Sequence, residues 1–463
     1  MLKDRIKELF SIVEGHSDYL EHNRKLLKIY KGKLLPYIEA ELAKQFTGES
    51  YSIAIKRIPP INVLKRIIDK QSKIYAGGVR REVSGGNASD ENILSYMMKI
   101  LKPDMMFSTW NSYFNLFKNS LVQPYLKSNG LPGIRVIPSD RFIPFSDDEI
   151  DSDNPTGFII YIKEVKEKGK SIKIYMAIDK NDYCYFTNEQ KDYTPQMTPQ
   201  GQPVDYRNQI GVVPFVYLNR DNENIVPEQD TDVISMTTLI PILLTDINFA
   251  HMFQSFSIMY GINVNFEGLK FQPNALWSFK SAPDDERKPE VGTLASNADI
   301  SGGLSLVANQ FALWLNTKGI KPGAIGEVNG SNFSTGISKI MDEMDTSEDR
   351  TEQIPYFVNA ESEFWNLMLK HMLPFWSRSS KYSGVNATFS VAAEVVTVFS
   401  EQVPLMRRGQ LIDDTIKEID NGFITKRDGL KRLNPHMTDK QIDEKELELS
   451  AEKNSTTITE ITG

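Results

Sequence analysis

Gly169, Lys170 and Ser171 are the residues that come nearest to a phosphate-binding loop. Such a loop needs another Gly five residues before Gly169, so that backbone amides can curl around the phosphates. That position is Glu164, a carboxylate that repels them. The triplet also falls in a turn between two alternating runs with no helix after it, so nucleotide binding is not expected. His16, His22, His251, His371 and His436 are scattered singly. None pairs with another at i,i+3 or i,i+4, the spacings that bring two helical ligands to one metal. Asp147-Asp148-Glu149-Ile150-Asp151-Ser152-Asp153 is the densest carboxylate run and could attract a hard divalent cation. It lacks the Gly and the terminal Glu of a calcium loop and reads as an exposed acidic loop. Asp284, Glu286 and Lys288 have the residue types of a metal-dependent nuclease, compressed into one charged turn where such enzymes draw on separated strands. Cys184 is the one cysteine, so no internal disulfide and no thiolate zinc site can form. It lies in an alternating stretch and reads as a strand residue. There is no Gly-x-Ser-x-Gly elbow and no His-Glu-x-x-His. The expectation is no catalytic residue, no cofactor and no metal site, which favours a structural or interaction protein over an enzyme.

The elements that would carry these residues follow from composition and period. Over 463 residues, 53 Lys and Arg stand against 61 Asp and Glu, a net charge of −8. That balance argues against a surface that wraps nucleic acid throughout, though not against a local basic patch. With 40% apolar residues the chain is too apolar for disorder and long enough for about three domains. The first ten residues carry charges throughout, unlike a secretory signal. The apolar window 234–260 contains Asp246, Asn248, His251 and Gln254, which argues against a membrane span.

Helical spacing covers 1–45, with a break at Gly32 and Pro36, and then Ile61 to Tyr75, ended by Gly77-Gly78. A third helical region covers 90–127, broken near Pro103 and Pro124. Residues 51–58 read as a short alternating run. The period then becomes two, so 131–218 is read as a β-rich unit: strands at 133–137, 157–165, 171–178, 182–187 and 212–218, with a hairpin at Lys166-Glu167-Lys168-Gly169. The polar, Pro-rich stretch 188–210 reads as a long exposed loop. A long helix follows from Glu228 to Met259, with a kink expected at Pro241. An insert of about 40 residues leads to a second helix, Gly303 to Lys318. Because the insert is short, the two helices are expected to pack antiparallel. A Gly-rich stretch, Lys321 to Gly336, opens a helix from Ile337 to His371. Residues 381–399 alternate like a strand. The C-terminal part reads as three short helices, 404–421, 425–433 and 438–453, the second capped by Thr425 with Asp428 and the third by Thr438 with Gln441. The last ten residues read as a tail.

Four segments in this order resemble phage portal proteins. The first is Asn62-Val63-Leu64-Lys65-Arg66-Ile67-Ile68-Asp69-Lys70, ending at Tyr75-Ala76-Gly77-Gly78. The second is Val213-Pro214-Phe215-Val216-Tyr217-Leu218-Asn219, leading into the long helix. The third is Lys321-Pro322-Gly323 through Ser334-Thr335-Gly336-Ile337-Ser338-Lys339, close to the portal pattern Ser-x-Gly-apolar-x-Lys. The last is Asp420-Asn421-Gly422-Phe423-Ile424-Thr425-Lys426-Arg427-Asp428, followed by Leu433-Asn434-Pro435 and an acidic helix. Together they span most of 60–453. Ile337 departs from the usual portal pairing, and 188–210 is unusually rich in Pro and Gln.

The resemblance implies an α+β, mostly helical portal fold: a wing (1–227 and 337–403), two antiparallel stem helices (228–260 and 300–319) flanking a clip (261–299), and a helical crown (404–453), with 454–463 as the tail. It implies a homo-oligomeric ring, usually of twelve subunits, at one capsid vertex of a virion, assembled in the host cytoplasm. Double-stranded DNA passes through the channel. The partners implied are a terminase large subunit, a head-tail adaptor, and a major capsid or scaffolding protein, with no membrane. Segment 320–336, with Lys321, Gly323, Gly326, Glu327, Asn329, Gly330 and Asn332, is expected to be the tunnel loop, with Met344 to Gln353 as the alternative. Trp277 and Phe279 beside Asp284, Asp285, Glu286, Arg287 and Lys288 form the expected docking surface of the clip, an aromatic anchor with a charged rim. Twelve copies at −8 would give about −96, a lining that repels DNA where it faces inward. The competing readings are another capsid-associated adaptor or scaffold and a metal-dependent nuclease.

Overall fold

The computed structural model describes residues 1–59, 61–148, 154–167, 169–198, 203–221, 223–255, 258–262, 290–294, 299–318, 320, 347–385, 387–399, 405–434, 437 and 441–449. The chain opens with helices α1 (Ile6–Gly15), α2 (Ser17–Tyr30), α3 (Leu35–Gln45), α4 (Gly48–Ala54) and α5 (Val63–Gln71). Strand β1 (Val79–Ser84) precedes α6 (Ala88–Leu101) and α7 (Pro103–Phe117). Then come β2 (Asn119–Leu126), β3 (Pro132–Ile137), β4 (Phe142–Phe145), β5 (Gly157–Glu167), β6 (Lys170–Asp179), β7 (Tyr183–Thr187), the single turn α8 (Thr194–Met197) and β8 (Val216–Asn219). Helix α9 (Thr231–Ser255) leads through β9 (Ile258–Ile262) and β10 (Glu290–Leu294) to α10 (Ile300–Thr317). The chain continues with α11 (Ser347–Asn366), a π-helical turn (Leu367–Met372), α12 (Leu373–Ser377), β11 (Glu394–Phe399), α13 (Leu405–Asp420) and α14 (Lys426–Leu433). The protein is α+β, as the sequence implied.

The chain divides into two compact units. One comprises Met1–Leu27, Ile68–Gln229 and Thr346–Gly463; the other comprises Lys28–Ile67 and Asp230–Asp345. In the first, a four-stranded antiparallel sheet runs in the order β4-β5-β6-β7 and a three-stranded sheet in the order β3-β2-β8. The run Phe158-Ile159-Ile160-Tyr161 lies in β5 and is apolar on both faces because both are covered. Phe158 and Ile160 pack with Leu121, Ile137 and Phe215, while Ile159 packs with Leu2, Leu9 and Val13 from the N-terminal helices. The β5–β6 hairpin closes where Glu167 faces Lys170, and Gly169 takes φ +81° there, a backbone region that favours glycine.

A third, two-stranded ribbon pairs β1 with β11 antiparallel, from Val79 opposite Phe399 to Ser84 opposite Glu394. It lies over the largest core, where Trp110, Phe107 and Phe114 of α7 meet Phe357, Phe364 and Trp365 of α11. The rings meet edge to face at 5.2 Å for Phe107–Phe364 and 5.4 Å for Trp110–Phe357, a favoured aromatic geometry.

Four readings of the sequence are corrected. Residues 119–126 form a strand, because α7 ends at Lys118 in the left-handed region with φ 65°, and β2 pairs on both sides. Pro124 lies beyond the part of β2 that pairs with β8, opposite Ile134 of β3, so β2 tolerates its missing N–H. Residues 51–57 are helical, since Ala54 is the only fully buried side chain among them and no strand partner is present for the alternation to pair with among the described residues. Of 188–210, Thr194 is fully buried and donates its hydroxyl to the Tyr185 carbonyl, so part of this stretch is packed on β7. Among the described residues of 381–399, only Glu394–Phe399 pairs as a strand.

The cap at Thr425 is present as the sequence predicts. Its hydroxyl accepts from the Asp428 amide at 3.1 Å, and the Asp428 carboxylate accepts from the Thr425 amide at 3.1 Å. Gly429, inside α14, lets this helix approach α13: a Cβ there would come within 2.6 Å of Ile419 Cδ1. Replacing Thr425 with Ala is expected to cost about 1 kcal/mol and to speed amide exchange in the first turn of α14, while Ser should preserve both. Unchanged exchange in the Ala variant would contradict the capping role. Thr438, the proposed cap of the third helix, lies outside the described residues.

Candidate functional sites: a helical arm and an open cleft

Helices α9 and α10 form the core of the second unit, with Ile240, Leu244, Leu304, Val307, Phe311 and Leu315 buried against Val63 and Ile67 of α5. Their direction follows from the side chains that meet. At one end, Trp314 Nε1 donates to Asp232 Oδ2 at 3.0 Å and Lys318 Nζ lies 2.9 Å from the same carboxylate. At the other, the Cβ position of Gly303 lies 3.6 Å from Ile247. The start of α9 therefore meets the end of α10, and the pair is antiparallel. At the far end β9 and β10 continue it as an antiparallel ribbon, from Ile258 opposite Leu294 to Ile262 opposite Glu290. Asp299 caps α10, accepting from the Gly302 amide at 2.8 Å.

This arm is apolar beyond what its own core uses. On α10, Leu306 and Leu313 are 58% and 70% exposed on the side away from Phe311, and Leu239 of α9 is 40% exposed. An 18-residue window within Thr231–His251 has a mean hydropathy of 1.6 with 39% of it buried, so by length and composition alone this helix is apolar enough to cross a membrane, a test that a buried core helix passes as well. Asp232 is nevertheless tied to Lys318 and Trp314, and its carboxyl sits below the ordinary value: burial pushes it up, and those two hydrogen bonds outweigh that.

In the first unit, the buried guanidinium of Arg81 in β1 makes two hydrogen bonds to Glu361 of α11, Nε to Oε2 at 2.5 Å and Nη2 to Oε1 at 2.9 Å. A third goes to Asp104 of α7 at 2.7 Å, and the Phe107 ring lies 5.5 Å away. Burial alone would lower the Arg81 pKa, but the charge of Glu361 reverses this and leaves it above the ordinary value. Thr397 of β11 donates to the same Glu361 oxygen at 3.3 Å. One ion cluster thus ties the ribbon and both helices together.

The same helix α11 forms one wall of an open cleft of about 940 Å³. Phe158, Phe215, Leu218 and Leu367 supply its apolar lining, while Asn359, Glu363, Asn366 and His371 come from α11 and the π-helical turn after it. Asp221 also lines it, its carboxylate accepting from the amides of Glu223 and Asn224. Glu363 is open to solvent yet crowded by the cleft walls, and this desolvation raises its carboxyl above the ordinary value.

No protein-family profile and no curated protein matches the chain. Among solved structures, one similar chain belongs to the neck of an empty gene transfer agent particle computed with C6 symmetry, at 12% identity and a TM-score of 0.36, over 81% of this chain and 90% of that one. Another belongs to the virion of a native gene transfer agent particle, at 11% identity and a TM-score of 0.33, over 89% and 92%.

The residues that the sequence put forward fare unequally. The tunnel-loop set (Lys321, Gly323, Gly326, Glu327, Asn329, Gly330, Asn332) and the clip set (Trp277, Phe279, Asp284, Asp285, Glu286, Arg287, Lys288) lie outside the described residues. Of the alternative loop, Gln353 is buried and accepts from Asn111 at 2.8 Å, so it faces the core. Ser171 donates its hydroxyl to the Glu164 carboxylate across the hairpin. Asp147 pairs with Arg5 at 2.7 Å. Among the described residues no group of three His, Cys, Asp or Glu comes together as a metal site would require. Neither the Arg81–Glu361 cluster nor the cleft was recognised from sequence. The cleft's signal was Asn359, Glu363 and Asn366 at i, i+4 and i+7, one face of a helix.

Cys184 is buried beneath α1, and burial pushes its thiol up to about 12. A thiol reagent at neutral pH should leave the folded chain unlabelled and label it fully after denaturation, because the thiolate is the reactive form. Rapid labelling of the folded chain would contradict this packing.

Proposed function

We propose that the chain is a portal-type subunit: it assembles into a ring at one vertex of a phage capsid, passes double-stranded DNA, and presents a docking surface to a terminase motor and a head-tail adaptor. The observation that carries this reading is the arm, two antiparallel helices continued by a β-ribbon, placed in the chain where the portal-like segments put the stem and clip. The uncovered Leu306 and Leu313 support it, because a second copy packed along the arm would remove them from water. The reading assigns no catalysis to the chain. Phosphate release from ATP that is lost on replacing Lys170, or Mg²⁺-dependent DNA cleavage, would favour the nuclease reading instead. The docking part of the proposal is tested by deleting 282–290: rings should still form while binding of the motor or adaptor is lost. Loss of the rings themselves would assign that segment to contacts between subunits.

A further inference from the structure

The acidic balance of the whole chain hides a basic region. Residues 28–67, all in the second unit, hold eight Lys and Arg against three Glu, while the chain as a whole stands at −8. Five of those cations, Lys28, Lys31, Lys33, Lys65 and Arg66, are exposed and lie where α2 ends and α5 begins. Two local structures hold them there. Gly32, at φ +88°, closes α2: its amide donates to the Ile29 carbonyl and the Lys33 amide to the Lys28 carbonyl, both at 2.9 Å. Lys31 and Lys33 therefore sit on a bonded turn. The Asn62 side chain joins the two helices. Its Nδ2 donates to the Ile29 carbonyl at 2.6 Å, and its Oδ1 accepts from the Lys65 amide at 3.0 Å, capping α5. Lys65 Nζ lies 5.0 Å over the ring of Tyr30, the residue before Lys31.

Folding does not account for this patch. Lys28 is in the last turn of α2, where a cation suits the helix dipole, but Lys65 and Arg66 are in the first turn of α5, where a cation opposes it. Among the described residues Lys28, Lys31 and Lys33 have no carboxylate partner. The core of a protein–protein contact is depleted in lysine, so the composition fits such a contact poorly. Point charges spread over two helices and a turn suit phosphates spaced along a backbone. We propose that this patch binds the phosphate backbone of a nucleic acid duplex without reading its sequence. The inference stands on charge and placement and does not depend on ring formation. Five contacts, each releasing about 0.9 counterions, make the affinity fall about 500-fold between about 50 and about 200 mM salt.

The test uses the full chain and a fluorescein-labelled DNA duplex, read by anisotropy across that salt range. The wild type should bind the duplex, and more tightly than it binds polyglutamate. In Lys28→Gln/Lys31→Gln/Lys33→Gln two contacts remain, so the fall over the same range should shrink to about 12-fold, and low-salt affinity should drop about tenfold or more. Replacing the same three residues with Arg keeps the charge and should keep the binding. Lys163→Gln/Lys166→Gln/Lys173→Gln, on β5 and β6, removes equal charge from another exposed segment and should leave the salt dependence unchanged. Circular dichroism checks that each variant keeps the fold, as substitutions of exposed lysines should. No binding of the duplex at low salt, or an equal loss in the two Gln variants, would overturn the proposal. So would polyglutamate binding as tightly as the duplex, which would assign the patch to an acidic polypeptide. Native mass separates this inference from the ring: the Lys28→Gln/Lys31→Gln/Lys33→Gln variant should assemble as the wild type does. Loss of assembly together with DNA affinity would assign these lysines to the contact between subunits and also overturn it.

Discussion

Replacing Glu361 with Ala is expected to lower the melting temperature of the first unit by on the order of 10 °C. The substitution leaves the Arg81 guanidinium buried with Asp104 as its remaining charged partner, and breaking a buried pair from one side costs roughly 3–5 kcal/mol. It also removes the acceptor for Thr397, so the β1–β11 ribbon loses a tie to α11. The loss reflects a stranded charge more than the worth of the pair. A double variant that replaces both Arg81 and Glu361 with apolar residues of similar volume should therefore recover most of it. Thermal unfolding of the wild type and both variants by differential scanning calorimetry checks this. If Glu361→Ala melts with the wild type, the cluster does not hold these elements together.

Two substitutions on one helix, Phe311→Ala and Leu313→Ser, are expected to act oppositely. Phe311 is fully buried between α9 and α10, and removing its ring costs about 3–5 kcal/mol through lost burial and the cavity left behind. The variant should lose amide-exchange protection across both helices. Leu313 is 70% exposed, so Ser there should leave the fold intact within about 0.5 kcal/mol. Under the proposed function Leu313→Ser instead weakens assembly, because its side chain is free for a neighbouring copy. Unaltered assembly in a folded Leu313→Ser chain would remove that face of α10 from the subunit contact.

What the sequence made legible was local. The period of α9 and α10, the short insert between them, the β5–β6 turn at Gly169 and the Thr425–Asp428 cap each involve residues close in the chain, and all are present. The failures have physical causes. Lys118 ends α7 in a left-handed conformation without the glycine that would signal it, so β2 looked like the continuation of an aromatic-rich helix. The β1–β11 ribbon and the Arg81–Glu361 pair join residues some 280–320 positions apart, and no periodicity in either segment names the other. The cleft is of the same kind: one wall comes from α11 and another from 212–221, so the asparagines of α11 read as an ordinary solvated face until the fold brings the apolar wall opposite.

The central claim is that this chain builds a ring, and the native mass of the purified full-length protein tests it most directly, with negatively stained images of the same sample. A portal-type subunit of 52.7 kDa should run as a closed particle of about 630 kDa if twelve copies assemble, with a central hole in the images. A monomer near 53 kDa at the concentrations where such rings form, cutting DNA when Mg²⁺ is added, would contradict the account and favour the enzyme.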